Sequence, residues 1–223
     1  MPKLFSYCIP VDDGAAPNPF WNICTLVICK PVIRRNAVAG DWIVGTGSRK
    51  YGFENRAVYA MEVTQKMTMQ EYDDYCKHEL KEKIPKPKGS YKQMVGDCIY
   101  DFSTNPEKLR KGVHKEGNHK RDLGGQCALL SDHFYYFGCQ PILLPYFLLP
   151  IVKQGEGHRS NSNTPYVDYF IDWITDQIEA KNKVLHEPQG MLDFLENPNS
   201  LAKCASRHRT CDDEDELLAT SDC

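Results

Sequence analysis

The chain has 223 residues, which suits one domain with a short appendage. Its 41% hydrophobic and 26% charged residues are ordinary for a globular protein that buries one core. The formal net charge of −3 excludes a globally basic protein, so any contact with nucleic acid must come from a local basic patch.

Targeting signals and cysteine usage predict a reduced, intracellular environment. The first residues form no long apolar run with a cleavage site. The most apolar stretch, 141–152, contains three prolines and is shorter than the ~18–20 residues of a membrane span. The ten cysteines are irregularly spaced, without a Cys-x-x-Cys pair. We therefore expect a cytoplasmic or nucleoid-associated protein, neither secreted nor membrane-bound, with reduced thiols, no metal and no cofactor.

Short β-rich runs dominate the first third of the chain. Lys30-Pro31 closes one of them, and Gly40-Asp41 marks a turn into another. The predicted strands are 3–9, 23–29, 42–46 and 58–63. We expect the last two to pair across the loop 49–56.

Helix signals follow in the rest of the chain. Thr68 and Glu71 match a capping box, which predicts a helix of about three turns. Thr164-Pro165 predicts a second helix, with a capping Thr and Pro at the first helical position, and Pro188 begins a short third one. The predicted segments between them are a long loop at 105–125, strands at 126–131 and 133–137, and a buried loop or short strand at 141–152.

These elements predict an α+β fold, with a curved, mostly antiparallel sheet or a small β-barrel and about three flanking helices. The domain is expected to span residues 1–195. The remainder, 196–223, is polar and contains the acidic run 212–216, which predicts a disordered tail.

A group of polar and aromatic residues in the first fifty positions suits a ligand with a phosphate and a base. Guanidinium and ammonium groups bind phosphate, and indole rings stack on bases. Glycines in a strand permit close approach of another group. The candidate ligand-binding residues are Asn18, Trp21, Lys30, Arg34, Arg35, Trp42, Gly45, Gly47 and Ser48. The alternative is that the aromatic rings belong to the core and the arginines cover a surface.

A basic segment and several acid–base groups provide further candidates. The residues that could grip a nucleic-acid backbone are Lys108, Arg110, Lys111, Lys115, Lys120 and Arg121, although a solvated loop is the alternative. The candidate catalytic residues are Asp41, Asp97, Asp132, His114 and His119. No phosphate-binding P-loop, dinucleotide-binding glycine motif, zinc-protease motif or serine-hydrolase elbow occurs, which disfavours those enzyme classes.

Several segments together resemble the nucleotide modification associated domain 2 family, over about residues 3–180. The most specific part is the block from Lys30 to Ser48, which includes Gly40-Asp41-Trp42-Ile43-Val44-Gly45-Thr46-Gly47-Ser48. The other matching segments are 16–20, 24–29, 58–61, 96–100 and 130–138. The resemblance implies a role in DNA base modification, typical of phages and of bacterial mobile or defence systems. It supplies no established reaction and no catalytic residues.

A second resemblance is to base-binding barrels of the PUA, EVE and ASCH kind. Residues 40–44, a loop and residues 58–64 are similar to the turn, strand and strand of those folds. This likeness implies a small PUA-like β-barrel. A fold by itself does not determine function.

The leading hypothesis is a module that recognises a modified base or a nucleotide, so that its partner is a nucleotide or nucleic acid. A flipped base is read by stacking and by hydrogen bonds to its edge, which requires the residue types named above. The alternative is an enzyme that acts on a nucleobase, a nucleotide or its modification. A non-catalytic protein-interaction domain is the second alternative.

Overall fold

Two β-sheets and the helices around them make up the described part of the protein, residues 1–197 of the computed structural model. The predicted tail beyond residue 197 lies outside the described residues. The strands are β1 (Leu4–Ile9), β2 (Cys24–Leu26), β3 (Trp42–Gly47), β4 (Arg56–Glu62), β5 (Gln65–Thr68), β6 (Tyr100–Asp101), β7 (Lys108–Leu109), β8 (Cys127–Ser131), β9 (His133–Tyr136) and β10 (Ile142–Leu143). The α-helices are α1 (Pro31–Asn36), α2 (Met69–His78), α3 (Tyr91–Met94), α4 (His119–Gly124), α5 (Val167–Thr175) and α6 (Gln189–Glu196). Short 3-10 turns occur at Arg49–Tyr51, Lys81–Lys83, Glu116–Asn118, Tyr146–Ile151, Asn161–Tyr166 and Ile178–Ala180.

A mixed five-stranded sheet forms the centre of the fold. β1 runs parallel to β3, and β3 pairs antiparallel with β4. The far edge of β4 is shared, because β10 pairs with its first residues and β9 with its last ones. The β3–β4 pair confirms the pairing predicted across the loop 49–56.

A second sheet, antiparallel and ordered β2-β8-β5, meets the first at a common corner. The chain passes from one sheet to the other between β4 and β5, and again between β8 and β9. Each connection contains only one or two residues, so the two sheets turn away from each other at the same place. The short β6–β7 hairpin forms a third sheet.

Alternation of side chains along the strands produces three apolar layers. Leu4 and Trp42 face the layer that α5 covers, where Phe170 is buried. Phe5 and Ile43, their neighbours along the strands, face the layer between the two sheets. The outer side of the second sheet packs against α2 and the segments around residues 91–113. Because side chains alternate between two covered faces, β3 is fully buried and β1 is buried except at Cys8, which is half-buried.

The predicted start of α2 is confirmed in its details. Thr68 Oγ1 accepts a hydrogen bond from the Glu71 backbone N–H at 3.2 Å, and Glu71 Oε2 accepts one from the Thr68 N–H at 2.7 Å. This reciprocal pair is a capping box, and it satisfies two donors that the first helical turn leaves without partners. The short helix α6 begins directly after Pro188, as predicted.

Other fold predictions need correction. Within residues 1–197 the strands form open sheets instead of a closed barrel, and six α-helices replace the expected three. The predicted long loop at 105–125 is wrong, because it contains β7, a 3-10 turn and α4. These elements have two to six residues, too few for a periodic pattern to reveal them. The helix expected at Thr164-Pro165 starts at Val167, after a 3-10 turn. No helix among residues 1–197 has the length and apolarity to cross a lipid bilayer.

Candidate functional site

The segment that joins β2 to α1 presents a thiol and an ammonium group in succession. The chain stays buried through Ile28 and then adopts left-handed backbone angles at Cys29 (φ 58°) and Lys30 (φ 39°). Pro31 follows as the first residue of α1, where a missing N–H group is harmless. The two left-handed residues turn the chain sharply, so both side chains stand half-buried at the end of a buried segment.

Cys29 is the first member of a line of polar contacts that we call the Cys29–His114–Asp122 cluster. Its Sγ lies 3.6 Å from His114 Nε2, and Nδ1 of the same ring lies 2.6 Å from Asp122 Oδ2. The other carboxylate oxygen, Oδ1, accepts the backbone N–H of Cys29 at 3.0 Å. His114 and Asp122 are buried. One carboxylate therefore holds both the imidazole ring and the backbone that carries the thiol.

Arg34 lies behind the cluster, fully buried, and binds three backbone carbonyls. Its Nε donates to Cys29 O at 2.8 Å, Nη1 donates to Cys127 O at 2.9 Å, and Nη2 donates to Asp122 O. The guanidinium plane lies against Gly125, where an added Cβ would come 2.1 Å from Cζ. Arg34 thus joins the backbones of the cluster. The phosphate-binding role expected for Arg34 needs correction, because its head group is enclosed by protein.

The charges in the cluster perturb one another. Burial by itself lowers the pKa of His114, but Cys29 and Asp122 outweigh it and raise that pKa to about 10. Burial lowers the pKa of Arg34 to about 10 against the opposing effect of Asp122, so the guanidinium stays charged at neutral pH. Burial and the Asp122 carboxylate raise the pKa of Tyr100, whose hydroxyl donates to Asp122 Oδ2 at 3.1 Å.

The same three residues are the group within residues 1–197 whose donor atoms are close enough for a metal ion. A sulfur, an imidazole nitrogen and a carboxylate oxygen lie within 4.8 Å of one another, a donor set that suits zinc. Asp122 Oδ2, however, is bound by His114 Nδ1 and the Tyr100 hydroxyl, and Oδ1 by the Cys29 N–H. Among these three residues, an ion placed between Sγ and Nε2 would meet only those two donors. Catalytic zinc normally has three protein ligands.

A cleft of about 370 Å³ opens beside Lys30. It lies at the carboxyl ends of the parallel strands β1 and β3, where Ile9 pairs with Gly47. Its charged lining residues are Lys30, Arg49, Lys50, Lys153, Glu54 and Glu156. We call it the basic cleft, since four cations and two carboxylates give it a net positive charge.

Three of the nine candidate ligand residues meet in the basic cleft: Lys30, Gly47 and Ser48. Lys30 Nζ lies 4.7 Å from the centre of the Tyr7 ring, and Ser48 Oγ donates to a backbone carbonyl at 3.3 Å. Gly47 has a packing reason to lack a side chain, because its Cβ would lie 2.3 Å from that of Phe53.

The two candidate tryptophans lie elsewhere, in different apolar layers. Trp42 is 3% exposed, stacked on Tyr135 and meeting Phe170 edge-on. Because protein side chains cover its ring, Trp42 is not available to stack on a base as expected. Trp21 is half-buried against the layer outside the second sheet, and its Nε1 has no hydrogen-bond partner among the described residues. Among residues 1–197, no aromatic ring lines the basic cleft.

The remaining ligand candidates pack against, or form hydrogen bonds with, other parts of the protein. Asn18 is fully buried, and its side-chain amide donates to Val95 O at 3.0 Å. Gly45 leaves room for neighbouring side chains, since an added Cβ would lie 2.3 Å from Ile9. Arg35 is exposed on α1, where Nη1 donates to a carbonyl of α4 at 2.6 Å. The ligand residues predicted together are thus distributed over several regions.

Among the candidate catalytic residues, His114 belongs to the cluster and His119 is adjacent to it. The His119 ring meets Tyr100 edge-on at 5.6 Å, and its Nε2 lies 2.7 Å from Glu107 Oε1. His119 therefore touches the shell around Asp122 through Tyr100.

The three aspartates proposed for catalysis lie outside the Cys29–His114–Asp122 cluster. Asp41 accepts two backbone N–H groups at 2.8 and 2.9 Å and so fixes the turn before β3. Asp97 is fully buried, and accepts hydrogen bonds from the hydroxyls of Thr25 and Tyr72. Asp132 is exposed at the bend between β8 and β9.

The predicted basic segment is divided by the structure. The exposed lysines are Lys108, Lys111, Lys115 and Lys120. The guanidinium group of Arg110 is bound within the protein, since Nη2 lies 2.7 Å from Asp73 Oδ1 and Nη1 donates to Tyr100 O at 2.7 Å. Arg121 is half-buried on α4. A contact with a nucleic-acid backbone here would rest on the four lysines, since Arg110 is already bound.

Several residues of the site were not anticipated from the sequence. Cys29 and Asp122 lie 93 positions apart, and the cleft residues Arg49 and Lys50 come from a different segment than Lys153. One local signal was present for Cys29, which ends an apolar run immediately before Lys-Pro. That context resembles the entry to a helix.

The chain matches a known protein family. The model of the family described as nucleotide modification associated domain 2 matches residues 1–195. Neither the curated proteins nor the solved structures provide a significant match.

Proposed function

Because the chain belongs to the nucleotide modification associated domain 2 family, we propose that it binds a nucleotide and holds the phosphate in the basic cleft. The observation that carries the proposal is the cleft itself. Lys30, Lys50 and Lys153 converge there from three separate segments of the chain. Its volume falls in the range of about 300–1,000 Å³ that small-molecule sites occupy.

The chemistry of the cleft favours phosphate over the face of a base. Lysine and arginine donate charge-assisted hydrogen bonds to phosphate oxygens, and four such side chains line the cleft. Since no aromatic ring from the described part of the chain lines the cleft, a base there would have no ring to stack on. The ligand class proposed is therefore a nucleotide recognised through its phosphate, free or as part of a modified nucleic acid.

Calorimetric titration with nucleoside monophosphates and with inorganic phosphate, at low and high salt, tests the proposal. We expect the variant Lys50→Gln/Lys153→Gln to bind about tenfold more weakly, which corresponds to about 1.4 kcal/mol. Binding should also weaken as salt rises, because the contacts are ionic.

The matched control is Lys111→Gln/Lys120→Gln, which removes the same charge from the exposed basic segment. If the control loses affinity and the cleft variant keeps it, the phosphate site lies in the basic segment and the cleft proposal is wrong. Failure of every nucleotide to bind would also contradict it.

A further inference from the structure

We propose that Cys29 is the nucleophile of a covalent catalytic site, with His114 as its general base and acid and Asp122 as the positioning residue. The substrate class is an sp² carbon that carries a nitrogen or oxygen leaving group, as in an amide or ester substituent of a modified base. That class rests on the proposed function, whereas the nucleophile itself rests on geometry alone.

The order of contacts is that of a nucleophile, a base and an orienting acid. A carboxylate can only accept, so Asp122 Oδ2 fixes the proton on His114 Nδ1 and leaves Nε2 directed at the sulfur. The 3.6 Å between Nε2 and Sγ is a sulfur hydrogen-bond distance. Recognition of such a triad depends on geometry and roles, not on sequence order.

Charge in the cluster favours the reactive form of the thiol. Because Cys29 and Asp122 raise the pKa of His114 to about 10, the ring holds its proton at neutral pH and provides a cation beside the sulfur. Such a cation favours the thiolate, which is the nucleophilic form. Other cysteines lie in the opposite surroundings, since burial raises the pKa of Cys8 and Cys139.

The cluster is held by more contacts than a chance surface pair would have. Asp122 accepts from Cys29, His114 and Tyr100, and its own carbonyl is bound by Arg34. Arg34 also binds the carbonyl of Cys29, so both ends of the cluster share one buried cation. His114 is 3% exposed, whereas Cys29 is half-buried. A buried base next to a half-buried cysteine is an arrangement that suits covalent catalysis.

The reaction balances without an oxidant or reductant. In the thiolate–imidazolium pair the thiol proton already lies on His114 Nε2, and a lone pair of the thiolate sulfur forms an S–C bond to the substrate carbon. The bond from that carbon to the leaving nitrogen or oxygen breaks, and the leaving group takes the proton from Nε2. Water then forms a C–O bond and gives a proton to Nε2, while the S–C electron pair returns to sulfur. The product is the carboxyl form of the substituent, and Cys29 is restored.

The test is the pH dependence of alkylation of each cysteine by iodoacetamide, followed on separate peptides by mass spectrometry. The intact wild-type chain suffices, so the test does not depend on a variant that folds. We expect Cys29 to react at about pH 6 at least tenfold faster than Cys139, because a thiol with the ordinary pKa near 8.5 is almost fully protonated there. His114→Gln should remove this advantage and move the midpoint of Cys29 upward, and Asp122→Asn should move it part of the way.

His119→Ala is the matched control, because it removes a neighbouring imidazole that meets Tyr100 but is not bonded to the sulfur. Its profile should remain that of the wild type. A Cys29 profile that follows an ordinary thiol, or one that His114→Gln leaves unchanged, overturns the proposal. The proposal is also overturned if the purified protein contains one equivalent of zinc and Cys29 becomes reactive toward iodoacetamide only after the zinc is removed. None of these outcomes bears on phosphate binding in the basic cleft, so the two proposals fail separately.

Discussion

Substitution of Gly125 by alanine should damage the protein far more than the same change at Gly124. Gly125 has right-handed backbone angles (φ −72°), so alanine causes no backbone strain there. Its Cβ would, however, lie 2.1 Å from Cζ and 2.2 Å from Nη2 of Arg34. The guanidinium cannot withdraw without breaking its bonds to three carbonyls. At Gly124, the last residue of α4, nothing lies within 4 Å of the added Cβ.

The size of the effect follows from these contacts. Overpacking of a buried site costs about 1–3 kcal/mol, and loss of a hydrogen bond to a charged group costs about 1.5–3 kcal/mol. We expect Gly125→Ala to lower the free energy of unfolding by about 3–5 kcal/mol, and Gly124→Ala to leave it unchanged or raise it by up to about 1 kcal/mol. Urea denaturation followed by circular dichroism measures both. Equal stability of the two variants would refute the structural role given to Arg34.

Three further changes test other parts of the structure. Lys83→Met should lower the free energy of unfolding by about 3–5 kcal/mol in urea titrations, because it removes a buried ammonium group that binds four oxygens. The same ammonium group offsets the charge of Asp97, so adding Asp97→Asn should recover part of the loss. Burial raises the pKa of Asp12 to about 7, so the folded protein holds the carboxyl proton more tightly than the unfolded chain, in which the pKa is near 3.9. This tighter proton binding stabilises the fold fully below about pH 3.9, and the stabilisation is lost as the pH rises toward 7. Wild-type unfolding free energies should therefore fall between about pH 4.5 and 6.5 by on the order of 2 kcal/mol more than those of Asp12→Asn, and equal slopes would contradict this. Thr68→Ala should cost about 1 kcal/mol in the same assay through loss of the capping box, whereas a neutral result would mean that the cap adds nothing in this fold.

Elements with strong local signals were predictable from the sequence. The turn at Gly40-Asp41 and the apolar runs on either side of the 49–56 loop define β3 and β4. The capping box at Thr68 defines the start of α2. These signals lie within a few residues of the element that they specify, so one sequence is enough to read them. The open arrangement of the sheets depends on corners between strands and carried no comparable signal.

The site was harder to predict because its contacts join distant parts of the chain. Arg34 was expected to hold phosphate in a ligand pocket, but it binds the carbonyls of Asp122 and Cys127, which lie 88 and 93 positions away. The residues next to Arg34 in the sequence give no indication that these distant carbonyls lie around its guanidinium group. Asp122 lies on α4, a helix of six residues that shows no periodicity. The ligand candidates shared a segment of sequence, whereas the structure sorts them by strand face and by layer.

The backbone at Cys29 and Lys30 provides an independent reason to look for function there. Both residues have left-handed angles, φ 58° and 39°, which glycine adopts freely and which cost a residue with a Cβ roughly 1 kcal/mol or more. Two consecutive non-glycine residues therefore carry a cost that glycine at either position would relieve. Their side chains also serve two different places: the thiol meets His114, and the ammonium lines the basic cleft. Since strain of this kind persists where surrounding contacts maintain it, the turn places the Cys29 thiol and the Lys30 ammonium group, the two groups on which the proposals depend, one residue apart.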